Sequence, residues 1–335
     1  MSNVNRVTLR SVAEKAGVSI MSVSKALNNK GGVSKETAAH IKAIAKEMNY
    51  KPNLLAKSLR LDETKTFGVI VSDSSEIVAS KVLRGIADAS ESQGYNIIMA
   101  NTDYDKNRER LSIEVLASKG IDGLLIVAST LTSAEDTKWL SSLGLPTVHL
   151  MRASEDGSID SVTNDNFQGS YTLTSHLLQK GCKHFHVLTQ KSVSGTLRLR
   201  GIRSALADEG YLLDNASITY CTPLIDDGHE KTKQLLQSKT KFDALICGCD
   251  LIAIGATNAI EEAGLNVPHD ICVTGYDGID LIPYLRTPIT TIRQPLYDIG
   301  QRGVTTLLER LHAPKSSPQT IILRSELLVE VSTER

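Results

Sequence analysis

The sequence predicts a small all-α helix-turn-helix head plus a hinge helix, joined to an α/β core of two Rossmann-like subdomains, and three observations predict it. The first 60 residues carry 11 Lys/Arg against three acids, a local charge of +8, whereas the 335-residue chain sums to −1, leaving about −9 on the remainder. Within that head, apolar residues recur with a helical period and are interrupted by a glycine-containing turn. From Lys65 onward, short apolar runs alternate with amphipathic stretches, the rhythm of parallel βαβ units, and this series occurs twice in tandem. A basic head on an acidic body suits a head that meets a polyanion and a body that stays off it.

In the head, Leu9, Val12, Ala13 and Ala16 fall at i, i+3, i+4 and i+7, and the stretch A16-G17-V18-S19 then breaks the pattern. A second periodic stretch follows with Val23, Ala26 and Leu27 inward, so two short helices are joined by a tight turn. Thr8 is placed to cap the first helix and Ser19 the second, each hydroxyl accepting from exposed N–H groups of the first turn. After the loop N28-N29-K30-G31-G32-V33, Ser34 caps a third helix that runs to about Met48, with Ala38, Ile41, Ala45 and Met48 on one face. Pro52 suits a first helical position. The segment Asn53–Arg60 is then a helix too short and too polar to be stable alone, a candidate for folding on binding.

In the core, TFGVIVSD, NIIMANTD, DGLLIVAS and TVHLMR are expected strands, separated by helices over VLRGIADASESQGY, RERLSIEVLASKG and WLSSLGLP. The second series runs YTLTSHLLQKG (helix), HFHVLTQ (strand), RGIRSALADEGY (helix), DALICGCD (strand), LIAIGATNAIEEAG (helix) and ICVTGYD (strand). TTIRQP, a helix over DIGQRGVTTLLERL and a strand-like TIILRSELLVE follow, the last expected to return to the first subdomain. The resulting organisation is a head at 1–51, a hinge helix at 52–62, a first subdomain at 63–163 and 293–335, and a second at 164–292.

Composition narrows the function. Aromatic residues make up 4% of the chain, with one Trp (Trp139) and four Phe, too few for an aromatic-lined pocket without using nearly all of them. No stretch approaches 18 uninterrupted apolar residues, and the N-terminus lacks an apolar core and cleavage site, so a cytoplasmic protein with no membrane partner is expected. Five cysteines (Cys182, Cys221, Cys247, Cys249, Cys272) argue against a disulfide framework, and the single C-x-C has no second pair for zinc. No metal and no cofactor are therefore expected. No G-x-G-x-x-G follows the first strand, and His176, His184, His186 and His229 are scattered without a nucleophile–base arrangement, so an enzyme is not expected.

At VTLRSVAEKAGVSIMSVSKALN and GVSKETAAHIKAIAKEMNYKPNLLAKSLR the residues closely resemble the LacI family of bacterial transcriptional regulators. The likeness continues through FGVIV, VLRGI, IDGLLI, SVTNDNFQGSYTLTSHLLQKG, RLRGIRSAL, CDLIAIGATNAI, VTGYD and TTIRQP, almost the whole chain, and suggests kinship with gluconate-operon-type repressors. The resemblance implies a periplasmic-binding-protein-like core, a homodimer, double-stranded operator DNA as partner, and a small-molecule effector: a sugar, sugar acid or sugar phosphate. The alternative is a regulator that responds to a nucleobase, or one that acts through corepression or as an activator rather than as an induced repressor.

What the resemblance implies for residues is specific. The helix from Ser19 is the recognition helix, with Ile20, Met21 and Lys25 at base-reading positions. Lys25 replaces the Arg common there and lacks its bidentate fork for guanine. Thr8, Ser22, Ser24, Asn28, Tyr50 and Asn53 suit phosphate contacts. Leu59 holds the place of the family's intercalating leucine, Ala56 lets the hinge backbone approach DNA, and Lys57 reaches a phosphate. In the core, Arg152, Asn166, Arg198, Cys249, Asp250, Asp277 and Gln294 are the candidate effector contacts, with Asp165 at the junction. Two departures stand out: Glu76-Ile77-Val78-Ala79 replaces the usual N-P-F-F, removing an aromatic, and Cys249-Asp250 replaces Asn-Asp. With Arg152, Arg198 and Arg200 present, the residue types weigh toward an anionic effector. From the basic head alone, DNA affinity should fall steeply with salt, with a log–log slope on the order of −6 to −10 for a dimer. Binding titrations across salt concentrations measure it, and a slope near zero would contradict a phosphate-contacting head.

Overall fold

The computed structural model describes residues 7–29, 31–50, 63–238 and 240–335, which divide into two compact units meeting at Lys65–Thr66. The first unit holds three helices, α1 (Leu9–Ala16), α2 (Ile20–Leu27) and α3 (Lys35–Glu47). Their inward faces form one small core from Val12, Ala13, Val23, Ala26, Ile41, Ile44 and Ala45. Each helix begins at the hydroxyl expected of it: Ser11 N–H donates to Thr8 Oγ1 at 3.2 Å, Ser22 N–H to Ser19 Oγ at 3.1 Å, and Thr37 N–H to Ser34 Oγ at 3.1 Å. Gly17 ends α1 with φ +64°, the left-handed conformation that lets the chain turn sharply into α2. The expected hinge helix over 52–62 lies outside the described residues.

The second unit opens with a six-stranded parallel sheet in the order β11-β5-β4-β3-β1-β2. Its strands are β1 (Thr66–Val71), β2 (Asn96–Asn101), β3 (Gly123–Val127), β4 (Thr147–Leu150), β5 (Asp160–Asn164) and β11 (Thr320–Leu323). The crossover helices α4 (Ile77–Ser92), α5 (Lys106–Ser118) and α6 (Ala134–Ser142) precede the junction, and α11 (Leu296–His312) covers the sheet later. Because strand side chains alternate, β3 sends Leu125 and Val127 into one core with Val82, Ile86 and Leu307, and Leu124 and Ile126 into another with Ile113, Leu116 and Leu140. Central parallel strands covered on both faces must be apolar throughout, which is why GLLIV contains no polar residue.

The second sheet repeats the plan with four parallel strands in the order β7-β6-β8-β9. They are β6 (Phe185–Thr189), β7 (Ile218–Tyr220), β8 (Ala244–Cys247) and β9 (Cys272–Thr274), with α7 (Asn166–Gln179) and α8 (Val193–Asp208) on one side. Helices α9 (Ile225–Gln237) and α10 (Asp250–Glu262) cover the other side. Sequence patterning omitted β5, β7 and α9. In α9 only Gly228, Thr232 and Leu235 are buried, so its inward face lacks an apolar stripe; β5 (DSVTN) is polar yet buried, with Asp160 held by the Arg310 guanidinium at 2.7 Å.

The C-terminal segment departs from expectation. TIILRSELLVE is two strands, not one: β11 joins the first sheet beside β5, while β12 (Glu326–Leu328) pairs antiparallel with β10 (Thr291–Arg293). The residues beyond β12 belong with the second subdomain, since Ser332 Oγ donates to the Val273 carbonyl at 2.6 Å and Ser332 N–H to that of Pro288 at 3.0 Å. Assigning all of 293–335 to the first subdomain is thereby corrected: the chain crosses between the subdomains three times.

Glycines set the spacing of the paired crossover helices. A Cβ at Gly85 in α4 would lie 2.1 Å from the Tyr297 carbonyl oxygen, and one at Gly300 in α11 would lie 2.2 Å from that of Val82. In the second subdomain a Cβ at Gly255 would lie 2.0 Å from the Ile225 carbonyl oxygen. Helix backbones therefore touch where a side chain would hold them apart. Gly85→Ala should gain about 1 kcal/mol of helix propensity and lose more to overpacking, for a net destabilisation of about 1–3 kcal/mol in denaturant titrations. A midpoint at or above wild type would show that α4 and α11 tolerate separation.

Candidate nucleic-acid interface and ligand cleft

In the head, α2 begins at the Ser19 cap, and its first turn presents Ile20 and Met21 at 44% and 68% exposure. Neither side chain is packed into the head core, which leaves two apolar groups displayed beside the start of a capped helix. A helix N-terminus carries free N–H groups and a partial positive charge, so this edge suits a phosphate backbone with base edges beyond it. Thr8 and Ser22 hydroxyls are engaged in the caps of α1 and α2, and Asn28 Nδ2 donates to the Ser24 carbonyl at 2.7 Å, closing the C-terminus of α2. Lys25 is half-buried, with Nζ lying over Gly32. Tyr50 packs against the head core. Asn53, Ala56, Lys57 and Leu59 lie outside the described residues.

In the core, the C-terminal ends of the strands gather the polar groups. Five residues there other than glycine adopt positive φ: Asp103 (51°) and Tyr104 (58°) after β2, Ala128 (54°) after β3, Met151 (68°) after β4, and Asp277 (123°) after β9. Such conformations are costly and persist where surrounding contacts impose them, commonly at binding sites. The expectation that strand ends carry the site and this concentration of strain point to the same place.

Arg198, on α8, is the centre of the second subdomain's share. Its Nε donates to Asn166 Oδ1 at 2.9 Å, its Nη1 donates to the Gly248 carbonyl, its Nη2 lies 3.7 Å from Asp277 Oδ1, and its guanidinium covers the Tyr276 ring at 3.6 Å. Gln294 Nε2 donates to Asp277 Oδ1 at 2.6 Å, while Gln294 Oε1 is buried with no partner among the described residues. Cys249 is the N-cap of α10 and is buried; burial and then the Asp277 charge push its thiol pKa up, so it stays protonated. Asp250 turns inward. Its Oδ2 accepts from Ile279 N–H at 2.9 Å and its Oδ1 from the Thr291 hydroxyl, so it holds the loop after Asp277. Arg200, grouped with Arg198 by sequence, is exposed, because two residues along a helix turn the side chain to another face.

The first subdomain contributes Arg152, which donates to the Ser129 carbonyl. Glu109, fully buried, supports that loop by accepting from Ser129 Oγ at 2.6 Å and from Thr130 N–H at 2.9 Å. Burial lowers the Arg152 pKa, against the raising effect of Glu109 and Tyr104. Two residues that patterning did not single out as contacts also stand here: Tyr104 OH donates to Glu76 Oε1 at 2.7 Å, and the Tyr104 side chain is 52% exposed. Tyr104 lies in the polar stretch NTDYDKN, where an aromatic just past a strand end is the only signal.

Burial pushes the Asp250 carboxyl up to about 7, with the Asp277 charge adding to it; burial pushes Asp277 up to about 6 against the lowering effect of Arg198. A carboxyl whose folded pKa is raised binds its proton more tightly in the native state, so its stabilising contribution is full below about 4 and is lost as pH rises through 6–7. The Tm should therefore decline between about pH 4 and 7, and decline less in Asp277→Asn. A variant following the wild-type profile would place the titration elsewhere.

Residues 64–329 match the family of periplasmic binding proteins and the sugar binding domain of the LacI family, and residues 8–53 match the bacterial regulatory proteins of the lacI family. The chain is 32% identical over 329 residues to the HTH-type transcriptional regulator RegA of Clostridium saccharobutylicum, covering 97% of this chain and 99% of that protein. It is 31% identical over 323 residues to the ribose operon repressor of Escherichia coli strain K12, covering 96% and 98%. The crystal structure of the lac repressor dimer bound to operator and the anti-inducer ONPF aligns with a TM-score of 0.90 at 26% identity, covering 98% of this chain and 99% of that one. With a capped helix-turn-helix head and a twofold α/β core, the chain belongs to the LacI family of bacterial DNA-binding transcriptional regulators.

Proposed function

We propose that this regulator binds an operator as a homodimer and represses a carbohydrate operon until a sugar-class effector enters the core cleft. The observation that carries the reading is the Arg198–Asp277–Gln294 cluster: a fixed donor fork, a carboxylate and an unpartnered buried acceptor converge at the strand ends. Alternating donors and acceptors held rigidly suit vicinal hydroxyls, each of which donates and accepts. The operator bound to the lac repressor dimer and the sugar named for the ribose operon repressor are in keeping with it.

Dimerisation draws support from the surface. Edge strand β2 exposes Ile98 and Met99, and α5 exposes Leu111 and Val115, an apolar area on one edge of the first sheet; Leu281 and Tyr284 are exposed in the second subdomain. An uncovered edge strand with an apolar face is otherwise an aggregation hazard, and a second copy would cover it. The effector acts by binding, without chemical conversion. Closing the cleft reorients the two subdomains, and effector and operator are coupled through that rearrangement, typically by about 1–3 kcal/mol, with effector binding releasing DNA.

Arg198→Ala and Asp277→Ala should keep operator affinity and lose the effector response in electrophoretic shifts with the gene's own upstream DNA. Loss of operator binding by a folded, dimeric variant would refute a purely regulatory cleft. In the same assay Leu59→Ala should weaken operator binding more than nonspecific binding, since a wedge contributes only where the groove opens; equal loss on both DNAs would reduce the hinge to a tether.

A further inference from the structure

Two of the three arginines that weigh toward an anionic effector are engaged within the protein, and the third, Arg200, is exposed on another face of its helix. Arg152 is bound to the Ser129 carbonyl and lies near the buried Glu109 carboxylate; Arg198 is held by Asn166, Gly248, Asp277 and the Tyr276 ring. Lys81, on the first turns of α4, is paired as well, its Nζ lying 2.7 Å from Asp280 Oδ1. That ion pair joins the two subdomains and brings the start of α4 against the Asp277–Asp280 loop. Glu76, the N-cap residue of α4 one turn earlier, lies close enough to Asp277 for its charge to push that carboxyl up, and Tyr104 OH fixes its orientation at 2.7 Å. Beside Asp277, buried Gln294 Oε1 has no donor among the described residues.

What remains for a ligand is rich in acceptors: Glu76, Asp277 and Gln294 Oε1. Hydroxyl or amine protons satisfy such groups, whereas phosphate or carboxylate oxygens would meet two carboxylates opposing them. From this juxtaposition we propose that Glu76, oriented by Tyr104 and set against Asp277, is a charge-selecting residue of the cleft, admitting uncharged hydroxyl-rich effectors and turning away phosphorylated or carboxylated ones. The proposal rests on the cleft being the effector site. It differs from the expectation drawn from the arginine count because the count omits the internal partners.

The test uses the full chain and thermal shift and calorimetric titration with inorganic phosphate and with matched pairs: D-ribose and D-ribose 5-phosphate, D-glucose and D-gluconate. Wild-type protein should show no stabilisation by phosphate, and no anionic member should bind more tightly than its neutral parent. Glu76→Lys should gain phosphate binding by at least roughly tenfold, since it replaces a repelling charge with an attracting one. Glu76→Gln with Tyr104→Phe is the milder variant and should narrow the gap between each neutral and anionic partner. Phosphate binding by wild type, a phosphorylated sugar outbinding its parent, or unchanged selectivity in both folded variants would overturn the proposal. Operator binding, measured alongside, reports on the DNA-binding reading separately, so failure of one is not mistaken for failure of the other.

Discussion

Arg198 lies where three segments of chain meet, and its guanidinium cannot shed its charge, so the surroundings must supply acceptors. Asn166 at the start of α7, Gly248 at the end of β8 and Asp277 after β9 do so, while the Tyr276 ring covers the cation's face. Satisfying one buried cation thus fixes the positions of one helix start and two strand ends. Asp277 then orders Gln294, which follows β10 on the second crossing, and Tyr276 OH accepts from Asn164 Nδ2 at 3.3 Å on the first. The cleft is consequently built around an internal ionic network, and the atoms left for a ligand are those the network does not use, Gln294 Oε1 among them.

Each subdomain is stiff for ordinary reasons. Central strands are apolar on both faces, and glycine contacts let crossover helices sit backbone to backbone, leaving little room to slide. Between the subdomains the restraints differ in kind: three chain crossings and the Lys81–Asp280 pair, whose carboxylate is largely exposed. An exposed pair contributes on the order of 0–1 kcal/mol. Two rigid bodies joined by a few connections and a weak ion pair form an architecture whose equilibrium a modest differential affinity can shift.

The parts legible in the chain were those governed by local rules. Thr8, Ser19 and Ser34 cap helices because a hydroxyl before an apolar-periodic stretch has one favourable use, and the structure shows all three bonds. The parts not legible were those where tertiary contacts replace hydrophobicity. Helix α9 packs through Gly228 against the Ile252 backbone, and β5 is buried through Asp160 and its Arg310 partner, so neither carries an apolar signature. Among the candidate effector contacts, Arg198, Asn166, Asp277 and Gln294 come together, whereas Asp250 faces the loop and serves it structurally. Residue type alone could not separate Asp250 from Asp277, since both are acids after a strand.

By itself the sequence determined the class of most elements, the basic head, the two tandem βαβ series and the family, because these depend on period, capping chemistry and charge, all of which are local or additive. Tertiary structure decided which charged side chains face the cleft and which are used internally. It also decided that the last strand-like segment divides between two sheets, and that Glu76 and Tyr104 form a pair. Those outcomes depend on which groups meet across long separations in the chain, and the partner of a buried charge is set by the folded arrangement and not by its neighbours in sequence.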